Sequence, residues 1–489
     1  MTGRMPLALG GLVVLAAALR FPALGVQSYW FDETVTANLL DKSLGDMLRA
    51  IPDSESTPPL YYVLTWFWAK VFGTSEAAVR SFSALAGTLT VPVAFAAGRR
   101  LIHERAGLAA AALAAVSPFL VWYSQEARAY ALLTLLTAAA LLFFLRAREE
   151  PNAKHLAVWA LLSALALATH YFALFLVIPM AALLPLSAEY RRRTATAIGA
   201  VGLAGLALLP LALDQASNEG ADFVGSSSLA SRAVQVPKQF LLGYDAPAET
   251  LLTILAGAVA LAAIALVLTR ANDHERRGAR LAAGIAAAAL AIPFVLAIGN
   301  VDYFLARNLI VVWLPAALVA SAGFAASGAK RTGAGLLAVY AALCITQVIA
   351  VAADERYQRD DWRDAVEALG APPANGARGI VVTPASGRVP VERYLEGATL
   401  FPADGTPVTE VDLVGLAARR PDQSPEPPRK TAQPVPEPSF REVGRVETPT
   451  YTVIRYRSEK PVGFFAASLA FNRLGDAQAA VLLQPPNAR

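Results

Sequence analysis

The most constraining feature of this sequence is a series of long apolar segments that recur from the N-terminus to about residue 352. A helix that crosses a bilayer needs roughly 20 predominantly apolar residues, and about eleven segments approach or reach that length. They are residues 7–25, 79–98, 106–123, 129–146, 155–170, 171–187, 195–213, 249–269, 281–299, 308–326 and 333–352. Only 16% of the residues are charged and 55% are hydrophobic, which is too apolar for an ordinary soluble protein. We therefore predict an all-α polytopic membrane domain over residues 1–353, in which the first apolar segment is a retained anchor rather than a signal peptide.

Basic residues mark every second loop between these segments. They are Arg4, Arg99, Arg100, Arg105, Arg146, Arg148, Lys154, Arg191, Arg192, Arg193, Arg270, Arg276, Arg277, Arg280, Lys330 and Arg331. Short cytoplasmic loops of membrane proteins carry an excess of Lys and Arg. We therefore predict that the protein lies in the plasma (inner) membrane, with these loops and the N-terminus on the cytoplasmic side. The formal net charge of +4 reflects this bias. No basic block with interleaved aromatic residues indicates a nucleic-acid partner.

The remaining loops and the C-terminal part are then predicted to lie outside. The apolar stretch 58–72, at about 15 residues, is short for a span, and we interpret it as a helix in the outer interface. Residues 354–489 have a different composition, with strand-like runs at 379–383 and 450–456 and a helical pattern at 362–369. They predict an extracytoplasmic α/β domain, with a Pro-rich surface or disordered segment at 419–438. The one cysteine, Cys344, lies in the last apolar segment, so no disulfide framework is expected.

Polar residues that have no topological explanation gather at the predicted outer level. They are Asp32, Glu33, Gln125, Glu126, Arg128, His170, Tyr171, Asp302, Tyr303, Arg307 and Asn308. No acid or base lies midway along a span, as a proton or ion pathway would tend to require. An arginine can bind phosphate oxygens bidentately, and a carboxylate can accept the proton of an attacking hydroxyl. Because no nucleophile motif or phosphate-binding glycine loop is present, a donor that arrives through the bilayer fits this pattern better than a nucleotide.

Each candidate also has a structural interpretation. Asp32 could stabilise the start of a helix, and Glu126 and Arg128 could form an interfacial ion pair. Arg307 could extend to lipid headgroups, and His170 could be a structural residue at a helix junction. A flippase for lipid-linked sugars and a non-enzymatic assembly subunit are the alternative functions that these residues leave open.

Several short motifs resemble those of the C-type membrane glycosyltransferases (GT-C), in particular the branch of protein O-mannosyltransferases and aminoarabinose transferases. The motifs are YWFDE at 29–33, TPPLYY at 57–62, the Arg80–Leu85 segment, YSQEARAY at 123–130, THYF at 169–172, the aromatic and arginine pair at 303–307, and the Arg-x-x-Trp-Arg element at 359–363. YSQEARAY is the most specific of them. Together they cover most of residues 1–370.

The resemblance implies the GT-C fold and transfer of one sugar from a polyprenyl-phosphate carrier to a hydroxyl of a glycan, lipid or protein. It implies that Asp32 is the base, that Glu33 tunes it or positions the acceptor, and that Arg128 and Arg307 bind the donor phosphate. The cavity would be lined by Tyr61, Glu126, His170, Tyr171 and Tyr303. The family often has His or Glu-Lys before the Pro-Pro segment, where this chain has Ser56-Thr57. A phosphate-binding or metal-ligand role at that position is therefore not expected. With His170 and scattered acids only, no spacing indicates a metal site, and we expect no cofactor and a metal-independent enzyme, with a divalent metal as the alternative.

Overall fold

The computed structural model describes residues 4–185, 187–216, 227–245, 247–417 and 436–486. All but the last three residues of the Pro-rich segment 419–438 lie outside these ranges. The chain divides into two compact units. The first comprises Met1–Leu24 and Leu39–Ala350, and the second comprises Gly25–Asn38 and Val351–Arg489. The segment Gly25–Asn38, which the sequence analysis placed with the transmembrane domain, therefore belongs to the C-terminal unit.

The first unit is helical throughout its described residues. Its helices are α1 (Arg4–Arg20), α3 (Leu44–Ser54), α4 (Leu60–Phe72), α5 (Glu76–Leu101), α6 (Glu104–Val116), α7 (Pro118–Ser124), α8 (Tyr130–Glu149), α9 (Ala153–Thr169), α10 (Leu174–Ala182), α11 (Arg191–Ala216), α12 (Leu229–Leu242), α13 (Glu249–Arg270), α14 (Asp273–Ile298), α15 (Trp313–Phe324) and α16 (Lys330–Ala353), of which the last three residues belong to the second unit. Helix α2 (Phe31–Leu40) begins in the second unit's segment Gly25–Asn38, and its last two residues belong to the first unit. Short 3-10 turns at Tyr171–Ala173 and Ala306–Val312 precede α10 and α15.

Each predicted span coincides with a helix or a pair of consecutive helices. In the described part of the chain, seven helical stretches are long and apolar enough to cross a membrane, and α6 and α7 qualify as a pair bent by 55°. The helices α1 and α9 and the stretch Tyr171–Ala182 are apolar but shorter. The predicted number of about eleven crossings requires all three to cross the bilayer, so that number stays a prediction. The aromatic stretch at 58–72 forms α4, whose 13 residues are few for a span.

The bend between α6 and α7 is stabilised by a buried arginine. Pro118 begins α7, and because it lacks an N–H it cannot continue the hydrogen-bond ladder of α6. Arg20, at the end of α1, donates from its guanidinium to the carbonyl oxygens of Ala114 and Ala115, at 2.8 Å each, and to Ser124 Oγ at 3.1 Å. Carbonyl groups at the end of a helix have no partner within that helix, so Arg20 replaces the missing donors.

A glycine on α5 makes room for this arrangement. A Cβ atom at Gly87 would lie 2.0 Å from Ser124 Oγ and 3.1 Å from Arg20 Nε. Any larger residue would displace the serine hydroxyl from the guanidinium. The close packing of α5 against α7 at this point fixes the start of the YSQEARAY segment, whose first two residues are the last two of α7.

The second unit contains a six-stranded sheet. Its strands are β1 (Ala377–Thr383), β2 (Thr399–Leu400), β3 (Thr406–Leu416), β4 (Arg441–Glu447), β5 (Tyr451–Phe464) and β6 (Ala480–Gln484), in the order β2-β6-β1-β3-β5-β4. β1 and β3 are parallel, and every other neighbouring pair is antiparallel. The unit also contains α17 (Trp362–Glu367), α18 (Arg388–Tyr394) and α19 (Ala466–Ala470). The α/β fold, the strands predicted at 379–383 and 450–456, and the helix predicted from Trp362 are thus confirmed.

The central strands β1 and β3 are buried on both faces of the sheet, because successive apolar side chains of a strand point to opposite faces. On one face, Ile380 and Val382 pack with Trp362 of α17; on the other, Val381 packs with Leu413 and other strand residues.

Near the start of α17, burial, together with the neighbouring carboxylate of Asp364, raises the pKa of Asp361 from 3.8 to about 6.

Candidate functional site

Tyr61 and Arg128 are connected through α5. Tyr61, on the first turn of α4, is fully buried, and its hydroxyl lies 3.3 Å from Ser83 Oγ. Ser83 in turn donates to the backbone carbonyl of Arg128 at 3.4 Å. The TPPLYY and YSQEARAY motifs, which are more than 60 residues apart in the printed sequence, therefore meet at one place in the first unit.

Arg128 forms a buried ion pair with Glu55. Its Nη1 atom lies 2.7 Å from Glu55 Oε1, and the side chains are only 11% and 2% exposed. Both charges act on the buried hydroxyl of Tyr62, which also contacts Thr57 Oγ1 at 2.8 Å. Glu55 directly follows α3, two residues before Thr57, and none of the motifs in the sequence includes it. Glu55 is therefore a further candidate site residue.

His170 lies where the fields of two arginines converge. It occupies the turn between α9 and the 3-10 helix Tyr171–Ala173, and only 4% of it is exposed. Arg128 and Arg307, which are distant in sequence, both act electrostatically on its ring. The Nδ1 atom of His170 accepts a hydrogen bond from the backbone N–H of Phe172 at 3.3 Å. This hydrogen bond ties His170 into the turn, and its expected place in the lining of the donor cavity stays a prediction.

Glu126 and Arg307 are near each other through Tyr123. Glu126 is 2% exposed, and Arg307 is half-buried in the 3-10 segment that precedes α15. Both charges act on the buried Tyr123 hydroxyl. The structure thus gathers Glu126, Arg128, His170 and Arg307 from three loops of the first unit.

Tyr171 and Tyr303 lie at the edge of this group. The Tyr171 hydroxyl donates to Gln215 Oε1 at 2.7 Å. The Tyr303 ring packs 5.4 Å from that of Phe172. The preceding residue, Asp302, binds both terminal nitrogens of Arg232, with 2.7 Å between Nη1 and Oδ1. Asp302 is therefore a partner of a structural arginine in α12.

Asp32 and Glu33 belong to the second unit. They are the second and third residues of α2, so Asp32 lies inside the first turn rather than at the preceding capping position. Both charges are at the helix end where the backbone dipole favours anions. Asp32 is half-buried, whereas Glu33 is fully buried.

Metal ligands are not grouped in the part of the chain that the structure describes. No three His, Cys, Asp or Glu side chains there lie close enough together to hold a metal ion. The expected metal independence stays a prediction.

Comparison with known proteins agrees with this architecture. Residues 56–213 match the family model described as dolichyl-phosphate-mannose-protein mannosyltransferase. No protein of curated function matches the sequence. The matched residues include the TPPLYY, YSQEARAY and THYF motifs.

Among solved structures, ArnT from Cupriavidus metallidurans bound to undecaprenyl phosphate is 14% identical, with a TM-score of 0.51, and the match covers 93% of this chain and 98% of that one. The match to the apo structure of ArnT covers 68% of this chain and only 62% of that one, with 15% identity and a TM-score of 0.45. The archaeal oligosaccharyltransferase AglB from Archaeoglobus fulgidus, in complex with an inhibitory peptide and a dolichol-phosphate, is 13% identical over 74% of this chain and 57% of that one, with a TM-score of 0.46. The match over residues 56–213 and the fold that the chain shares with ArnT agree with the resemblance to C-type membrane glycosyltransferases that the sequence predicts.

Proposed function

We propose that the protein transfers a sugar from a polyprenyl-phosphate carrier to a hydroxyl acceptor at the outer face of the plasma membrane. The observation that carries this proposal is the contact between the segments that bear Arg128, His170 and Arg307. The rings of Tyr130 and Phe172 lie 5.6 and 4.6 Å from that of His170, and the Tyr303 ring lies 5.4 Å from that of Phe172. Two guanidinium groups in a helical unit of low dielectric constant favour an anion. The family match at 56–213 and the fold shared with ArnT, whose structure holds undecaprenyl phosphate, support a lipid-linked anion.

In this proposal the arginines bind the phosphate of the carrier. A guanidinium offers several N–H donors in one plane, so Arg128 can donate to a phosphate oxygen while its Nη1 contacts Glu55. As the bond between the sugar and the phosphate breaks, negative charge develops on the phosphate, and fixed cations stabilise it. His170, Tyr61, Glu126, Tyr171 and Tyr303 line the cavity that holds the donor.

The base is Asp32. Its carboxylate accepts the proton of the acceptor hydroxyl as that oxygen bonds to the anomeric carbon, and the polyprenyl phosphate leaves with the electron pair of the broken bond. Attack opposite to the leaving group inverts the anomeric carbon. Glu33, the next residue of α2, positions the acceptor beside this base. The reaction runs without a metal, so a chelator should leave turnover unchanged.

The test uses the purified full-length protein and polyprenyl-phosphate sugars. Mass spectrometry of the lipids that copurify with it identifies the donor to be used. Asp32→Asn should then abolish turnover while the donor still binds. Asp53→Asn, which alters an exposed acid in α3, is the matched control and should remain active. Undiminished turnover of Asp32→Asn would show that another group is the base.

The phosphate ligands are tested by donor affinity. Arg307→Gln should raise the apparent KM for the donor by about tenfold or more, since one charge-assisted hydrogen bond contributes roughly 1.5–3 kcal/mol. Arg307→Lys keeps the positive charge but lacks the planar guanidinium, so its donor KM should lie between those of the wild type and Arg307→Gln. Arg49→Gln, at an arginine whose side chain is 77% exposed, is the control. An unchanged donor KM in Arg307→Gln would indicate that Arg307 only contacts lipid headgroups.

A further inference from the structure

The segment that precedes the acidic pair is held by the Arg-x-x-Trp-Arg element, within the second unit. Arg363 donates from Nη2 to the carbonyl oxygen of Val26 at 2.8 Å. Arg359 donates to Gln27 Oε1 from its backbone N–H at 3.0 Å and from Nη1 at 3.3 Å. We call residues 359–363 the clamp.

Ser28 connects the two chain segments of this contact in both directions. Its hydroxyl donates to the carbonyl oxygen of Asp360 at 2.7 Å and accepts from the backbone N–H of Trp362 at 3.0 Å. Ser28 and Trp362 are each 1% exposed, and Gln27 and Arg359 are nearly as buried. Hydrogen bonds that are shielded from water are harder to replace, so the clamp fixes the path of Gln27 and Ser28, and Arg363 adds a more exposed hydrogen bond to Val26.

Helix α2 is held at both ends by α18. The hydroxyl of Tyr394 accepts from the backbone N–H of Tyr29 at 2.8 Å, just before the helix. Arg393 donates to Asn38 Oδ1 at 2.8 Å near the other end of α2, and its guanidinium lies 5.6 Å from the centre of the Tyr29 ring. The helix that bears the two carboxylates is therefore fixed along its length by residues of the C-terminal part.

Only three residues separate Ser28 from Asp32, and the first helical hydrogen bond, from Thr34 N to the Trp30 carbonyl, begins within them. A displacement of Ser28 is therefore transmitted directly to the first turn of α2. General-base catalysis depends on hydrogen-bonding distance to the acceptor hydroxyl. A misplacement of about 1 Å can reduce a rate roughly a hundredfold.

We propose that Ser28, Arg359 and Arg363 are positioning residues for the transfer reaction, which act by fixing the Asp32 carboxylate rather than by touching substrate. This rests on the proposed function, with Asp32 as the base. The C-terminal unit then contributes to catalysis, because the clamp and α18 form the support on which the acidic pair is held.

The test compares Arg363→Gln and Ser28→Ala with Arg363→Lys and with Arg356→Gln as a matched control. Arg356 lies in the same unit seven residues before Arg363, but its ion pair, at 2.6 Å, is with Asp354. Arg363→Gln and Ser28→Ala should lower kcat about a hundredfold with an unchanged donor KM, and Arg363→Lys should recover part of that loss. Arg356→Gln should match the wild type.

Two readouts separate positioning from a general loss of folding. Hydrogen exchange should accelerate in peptides that cover residues 29–38 of Arg363→Gln and Ser28→Ala, while peptides from β3 and β5 stay protected. Adding Asp32→Asn to Arg363→Gln should cause no loss beyond that of Asp32→Asn alone, because both changes act through one carboxylate.

The outcomes distinguish the two proposals. If Asp32→Asn is inactive but Arg363→Gln and Ser28→Ala turn over like the wild type, the clamp has no positioning role and the proposed base stands. If exchange at 29–38 is unchanged in both variants, the clamp proposal is overturned without reference to any sugar. If Asp32→Asn is fully active, Asp32 is not the base. The clamp residues then cannot act by positioning that base, and their proposed role in catalysis is also wrong.

Discussion

The ion pair between Arg128 and Glu55 allows a quantitative prediction about how the first unit is stabilised. Glu55→Gln keeps the shape of the side chain and one acceptor oxygen, but it removes the negative charge. With the partners only 11% and 2% exposed, the arginine would be left as a buried cation without that countercharge. Breaking a buried pair by removing one partner costs about 3–5 kcal/mol, so we expect a loss of that order in the free energy of unfolding.

The assay is unfolding of the purified protein by SDS in mixed micelles, read as a double-mutant cycle over Glu55→Gln, Arg128→Gln and the double variant. The double variant should be more stable than either single variant, because a neutral pair leaves no isolated charge. The control is Arg49→Gln on α3, which removes the cation of the exposed Asp46–Arg49 pair. Exposed pairs contribute little, so the unfolding transition of this control should not move.

Ligand binding gives the same prediction an independent check. If Arg128 holds the donor phosphate, the anion supplies the charge that Glu55→Gln removes. Undecaprenyl phosphate should then stabilise Glu55→Gln more than the wild type, and each further 1.4 kcal/mol or so corresponds to tenfold tighter binding. If Glu55→Gln is as stable as the wild type and shows no coupling energy with Arg128→Gln, then the Glu55 carboxylate does not stabilise the buried charge of Arg128.

Two further predictions concern buried groups elsewhere in the two units. Arg20→Met should lower the free energy of unfolding by about 1–3 kcal/mol for each of the two carbonyl groups left without a donor at the end of α6, and an unmoved SDS transition would contradict this. Asp361→Asn should raise the melting temperature above about pH 6 and have no effect below about pH 4. The pKa of Asp361 is raised from 3.8 to about 6 in the folded protein, so the folded state holds this proton more tightly than the unfolded chain. The carboxyl of the wild type therefore lowers the free energy of unfolding as the pH rises from about 4 to 6 and above, and Asn does not. Melting curves from pH 4 to 8 test this, and a pH-independent difference would show that the carboxyl is not the cause.

The helices of the first unit could be predicted because apolar length is a property of contiguous sequence. The positions of Arg128, His170 and Arg307 in one group could be expected from topology, since loops on the same side of a membrane lie at the same level. The partner of Arg128 could not be predicted from the sequence. Glu55 is 73 residues away, and in sequence it is one of several acids in a polar loop.

Two other features also depend on contacts that the sequence does not show. Arg20 sits at the end of an apolar segment, where arginines commonly extend to headgroups; its burial depends on the carbonyl groups that the α6–α7 bend exposes. The assignment of Gly25–Asn38 to the second unit depends on hydrogen bonds across about 330 residues. The Arg-x-x-Trp-Arg motif was the only sequence signal of that contact, and it did not indicate its partner.

The long range of the clamp also determines when the acidic segment can become ordered during synthesis. Ser28 leaves the ribosome long before its partner Asp360, which is 332 residues further along the chain. Domains generally fold in the order of their synthesis, so the helices of the first unit can pack while the segment at 25–38 still lacks its partners. A polypeptide that ends prematurely after α16 would retain its apolar helices but not the surface that orders Asp32 and Glu33. Such a shortened polypeptide would then lack transfer activity even though its apolar helices were folded.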